Sequence, residues 1–144
     1  MADGMMKLPG LMTPSKSYKP FRYSWAYDFW KLQQQVHWLP EEVPLGEDCK
    51  DWVNKLNDKE RNLLTQIFRF FTQSDVEVGA NYMEHYMPLF KPVEVRMMLA
   101  SFSNMETVHI AAYALLLEPI GMPDSEFSAF MEYDEMAAKH DYLG

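Results

Sequence analysis

The nine residues Met105-Glu-Thr-Val-His-Ile-Ala-Ala-Tyr113 put an acid, an imidazole and a phenol on one side of a helix. Glu106 and His109 stand three apart and Tyr113 follows Glu106 by seven, so all three project from one face. That face is otherwise apolar, with Leu99 and Phe102 before the motif and Leu116 and Leu117 after it. Helices normally keep such polar groups on the solvated side. An unpaired carboxylate costs several kcal/mol to bury unless donors or a cation meet it. A metal ion would meet it.

Glu-x-x-His directed inward is the pattern by which ferritin-like bundles hold two metal ions: two helices each give a Glu and two each give Glu-x-x-His. By itself the pattern is weak. With 4 His and 12 Glu in 144 residues, a Glu three before some His arises by chance in roughly one such chain in three. A core histidine bonded to a neighbouring acid reads the same residues equally well.

Upstream, Asn57 followed by Glu60 forms a capping box that opens a long helix running to about Met87, ahead of Pro88. Its apolar stripe reads Leu64, Phe68, Phe71, then Asp75, then Val78 and Tyr82. Asp75 thus interrupts the side on which the helix packs, either as a second inward ligand or as a bridge to Arg96 or to a backbone amide. Pro92 suits the first turn of the helix carrying the motif, which is expected to end near Pro119 and Gly121. The connection is short, so the two long helices should lie antiparallel. Asp75 is about 12 residues from the end of its helix and Glu106 about 14 into the next, nearly the same height at ~1.5 Å per residue. Asp75, Glu106 and His109 are therefore expected to converge.

Outside this pair, residues 1–23 carry Pro9, Pro14 and Pro20 without helical periodicity and read as an extended arm lying over the surface of something else, ahead of a helical remainder, 24–144. Ser24 offers an N-cap to a helix whose apolar positions are Trp25, Phe29, Leu32 and Val36, stopped by Pro40. Glu41 to Glu47 is an acidic loop, Asp48 to Leu56 a short helix, and Pro123 and Asp124 begin a last helix through Phe127 and Phe130.

The bulk numbers describe one folded domain, with 48% hydrophobic and 15% aromatic residues. A net charge of −8 with scattered cations argues against nucleic acid or an anionic membrane as partner. Cys49 is the single cysteine, so no intrachain disulfide forms and a reducing cytoplasm is the expected home. No signal peptide or membrane span is evident.

These residues resemble one family closely, the radical-generating small subunit of class I ribonucleotide reductase. The likeness runs from Tyr18-Lys-Pro-Phe-Arg-Tyr through Trp38-Leu-Pro-Glu-Glu-Val-Pro to Lys139-His-Asp-Tyr. In that family an Asp precedes the Glu-x-x-His by 31 positions, as Asp75 precedes Glu106. The radical tyrosine follows the motif Glu by seven, the place of Tyr113, and a tryptophan before Pro-Glu-Glu-Val transfers electrons, the place of Trp38. The resemblance implies an all-α, ferritin-like bundle with Asp75, Glu106 and His109 as metal ligands. It implies a di-iron, manganese or mixed cluster that uses dioxygen to oxidise Tyr113.

The likeness also stops short. The family's second ligand set, a Glu and another Glu-x-x-His, has no counterpart here, because His37, His85 and His140 lack a Glu three residues upstream. The chain therefore resembles the N-terminal half of a small subunit. Its expected partners are a chain carrying the remaining helices and ligands, the reductase large subunit, and a second copy of each half. Two other readings stay open: a homodimeric ferritin-like oxidase with three ligands per chain, and a helical structural subunit without metal. Trp38 and Tyr113 are superfluous to the first, and intact buried acids are superfluous to the second.

Overall fold

The computed structural model describes residues 10–118 and 134–143, and among them there are helices and connections but no strand. Helix α1 spans Ser24–Gln35, α2 Gly46–Asn54 and α3 Asp58–Asn81. A short α4, Met87–Leu89, precedes α5, Val93–Leu117, and α6 spans Asp134–Leu143. The expected end of α5 beyond Leu117 at Pro119 and Gly121, and the helix expected from Pro123 through Phe130, lie outside the described residues, as do residues 1–9.

The capping box forms as the sequence predicts. Asn57 Oδ1 accepts from the backbone N–H groups of Lys59 and Glu60 at 3.0 and 3.1 Å, and Glu60 accepts from the Asn57 N–H at 2.8 Å. Arg61 ties this start to the end of α2 by donating to the Trp52 and Leu56 carbonyls. The other end departs from expectation. After Asn81 the helix widens into a π turn, Tyr82–Tyr86, before α4. In an unbroken α-helix the Pro88 ring would press on the Glu84 carbonyl, and the wider turn accommodates it. The connection from Phe90 to Pro92 then returns the chain antiparallel along α3, as its length required.

Helix α1 differs more. Ser24 is its first helical residue and makes no cap, and the helix ends at Gln35, well before Pro40, which instead opens a 3-10 turn over Pro40–Glu42. Its expected apolar stripe of Trp25, Phe29, Leu32 and Val36 is about half exposed. The packed face carries Ala26, fully buried, and Trp30, which join Val95, Met98 and Leu99 in the core between α1 and α5. The small side chain of Ala26 is what lets the two helices close.

The arm from 10 to 23 is held by a residue the sequence reading did not select. Glu94, 1% exposed in the first turn of α5, accepts from the backbone N–H groups of Arg22 and Tyr23, both at 2.9 Å. It thereby ties down the two residues that lead into α1, whose first helical residue is Ser24. Ser15 Oγ accepts from the Val93 N–H at 3.2 Å, and the Leu11 carbonyl from the Lys91 N–H at 2.9 Å. No helix among the described residues is long and apolar enough to cross a membrane.

Candidate metal centre

Facing residues of α3 and α5 share one antiparallel register. Tyr82 meets Phe102 with ring centroids 6.0 Å apart, Ser103 Oγ donates to the Gly79 carbonyl at 3.3 Å, and Phe71 meets Tyr113 at 5.8 Å. Gly79 faces Glu106 across the helix pair, where an added Cβ would stand 3.5 Å from the Glu106 Cβ, ordinary van der Waals contact. Between these contacts lie Asp75, Glu106 and His109. One ligand atom from each falls within 4.8 Å of the others, the convergence expected from helix heights.

The three groups interact before any ion is present. His109 Nδ1 lies 3.3 Å from Glu106 Oε2. Asp75 is pushed up to about 6, first by partial burial and then by the Glu106 carboxylate, with His109 pulling the other way. Arg96 is exposed and has no part in that balance, so the alternative of an Asp75–Arg96 bridge is not what the fold forms. Two carboxylates and one imidazole, without thiolate, form an oxygen-rich donor set suited to iron or manganese. Acids that repel each other across a half-buried gap are relieved by a cation, so the residues present fit a metal.

A cleft of about 360 Å3 opens onto this cluster, lined by Trp38, Pro40, Val43 and Leu45 on one side and Asp75, His109, Ala112, Tyr113 and Leu116 on the other. All of the sequence-selected residues except Glu106 line it, and Glu106 offers an oxygen within 4.8 Å of the ligand atoms of Asp75 and His109. Tyr113 has a phenol raised above its ordinary range by burial and then by the Asp75 charge. Its aromatic neighbours are Phe68 and Phe71 on α3. Phe102 packs against Tyr82, since it stands a turn before Glu106 and faces the π turn that follows α3. Tyr82 is likewise raised, by burial and then by Glu106. The signal for Phe68 and Phe71 was in their spacing of seven and four residues before Asp75, the same face of α3.

Residues 15–144 match the family described as ribonucleotide reductase, small chain. The chain is 50% identical over 126 residues to a probable ribonucleoside-diphosphate reductase small subunit of Invertebrate iridescent virus 6, covering 88% of this chain and 35% of that protein. It is 41% identical over 133 residues to the counterpart in Invertebrate iridescent virus 3, covering 92% and 35%. The chain thus spans about a third of the length of these relatives. Among solved structures it is similar to a ribonucleotide reductase R2 subunit from Clostridium botulinum, with a TM-score of 0.78 at 24% identity, over 91% of this chain and 42% of that one. That likeness shows the fold: the helices are arranged as in the N-terminal part of a ferritin-like bundle.

Proposed function

The chain belongs to the ribonucleotide reductase small-chain family, and from that premise we propose that it forms the N-terminal part of a small subunit that generates a tyrosyl radical for the reduction of ribonucleotides. The observation carrying this reading is the placement of Asp75, Glu106 and His109 within 4.8 Å of one another, on a cleft that Tyr113 and Trp38 share. Asp75, Glu106 and His109 would hold half of a di-metal site. Bound iron or manganese, with dioxygen, supplies an oxidising equivalent there.

The chain's own residues do the rest. Tyr113 gives up one electron and its phenolic proton, and Leu116, Phe68 and Phe71 limit water at the ring. Trp38, across the cleft, relays the electron between this site and the large subunit, where nucleotide chemistry takes place. The remaining ligands, a Glu and a second Glu-x-x-His, come from outside these 144 residues, on our reading from a second polypeptide. Physical need supports it: sixteen large hydrophobics are exposed among the described residues against five buried ones, a surface that a folded bundle covers. In this reading the chain is one partial ferritin-like domain working in the cytoplasm, in an assembly with two copies of each half.

Iron binding and electron paramagnetic resonance on the aerobically reconstituted chain, alone and mixed with a C-terminal half, test this. A tyrosyl signal with about two metals per pair, only in the mixture, is the expected result. Two metals per homodimer from this chain alone would replace it with a symmetric oxidase, and no metal in either sample would leave a structural subunit.

A further inference from the structure

Tyr113 packs against two rings of the opposite helix. Phe71 lies 5.8 Å away, centroid to centroid, with its plane 20° from that of the phenol, and Phe68 lies 6.1 Å away at 32°. Both come from one face of α3, three residues apart, and both planes lie close to that of the phenol. Helical packing restricts a tyrosine's first side-chain torsion, but its second, between a tetrahedral and a trigonal carbon, has a broad well that local rotamer preference does not fix. A near-parallel stacked neighbour, Phe71, with Phe68 tilted against the same ring, can fix it.

We propose that Phe71, backed by Phe68, is a positioning residue for Tyr113: the stack holds the phenol in one orientation about its Cβ–ring bond. The proposal rests on the reading of Tyr113 as the radical residue and deepens it. Spin on a phenoxyl ring couples to the two Cβ protons according to the angle each C–H bond makes with the ring plane. The orientation set by Phe71 therefore sets the hyperfine pattern of the radical, and a ring free to swing would have a different and broader one. The same two rings flank the phenol, which lines the cleft with Asp75.

Two measurements test the stack. In the metal-free 144-residue chain with ring-labelled tyrosine, Tyr113 resonances, assigned by their loss in Tyr113→Phe, are expected upfield of the other seven tyrosines through the ring current of the stacked Phe71. Phe71→Leu removes most of that shift, Phe71→Tyr keeps it, and unchanged resonances from the other tyrosines report that the fold survives. In the reconstituted assembly, Phe71→Leu alters the hyperfine splitting of the tyrosyl signal at unchanged metal content, while Phe71→Tyr restores it. A Tyr113 shift and a hyperfine pattern that ignore Phe71→Leu overturn the proposal. Absence of a tyrosyl signal in the parent overturns the radical reading instead, and the metal-free spectra still decide whether the stack exists.

Discussion

His109 Nδ1 lies 3.3 Å from Glu106 Oε2, so without metal the two members of the motif pair with each other across one turn of α5. The side chains are unequally placed, with Glu106 16% and His109 42% exposed. The imidazole can turn toward the cleft while the carboxylate stays behind it. On the proposed reading, a bound cation would take the place of this internal contact. Glu106→Ala or His109→Ala is expected to weaken Fe(II) binding in the reconstituted assembly by roughly two orders of magnitude or more, since even outer-shell changes cost about 10–100-fold. Equilibrium metal titration is the check, and parent-like affinity in both variants would remove the metal reading.

Asp75 adds a pH dependence with a definite sign. Its folded value, raised to about 6 from 3.8, means that the fold holds the proton more tightly than the unfolded chain does. Its stabilising contribution is full below about 3.8 and is lost as pH rises through about 6. Metal binding must expel that proton, so affinity should fall as pH drops below about 6. Denaturant melts of the metal-free chain between pH 4 and 7 should separate the parent from Asp75→Asn, whose profile lacks this component.

Glu94 makes a separate prediction about folding. Its buried carboxylate satisfies two amides contributed from more than seventy residues away. Glu94→Ala leaves both unpaired, at about 1–3 kcal/mol each by the usual cost of a buried orphan, whereas Glu94→Gln keeps an acceptor and should cost about half as much. Urea denaturation followed by circular dichroism gives both values. Equal, small losses would show that the arm is not held this way.

Tyr113→Phe and Trp38→Phe should separate radical formation from its use. Tyr113→Phe keeps the stack and the ligands, so metal content is expected unchanged and the tyrosyl signal absent. Trp38→Phe leaves that signal in place but lowers turnover with the large subunit by at least about tenfold, a ~1.4 kcal/mol loss in coupling. Resonance spectra and a nucleotide-reduction assay on the same preparations decide between these outcomes.

Much of the pairing of α3 with α5 was legible because it rests on local rules. The Asn57–Glu60 box, the proline-bounded connection and the rise per residue together put Asp75 opposite Glu106 and His109, and the ligand atoms do meet. The π turn was not legible, because Pro88 marks a conflict with the helix without saying whether the chain breaks or widens. Trp38 could be placed on the cleft only once the 3-10 turn at Pro40 had been seen to carry it there.

Helix type, helix order, antiparallel pairing and the three-residue cluster were determined by the sequence itself, since periodicity, caps and loop length act within a few residues of one another. Which faces became interior was decided only in three dimensions. Helix α1 offers two apolar faces, and the one with the larger side chains lost to the one with Ala26, because close approach to Val95 and Met98 needs a small residue. Glu94 reads as an ordinary first-turn acid until Arg22 and Tyr23 arrive to be capped. Burial and hydrogen bonding at these positions depend on partners distant in sequence, and such partners leave no local mark on the residues that receive them.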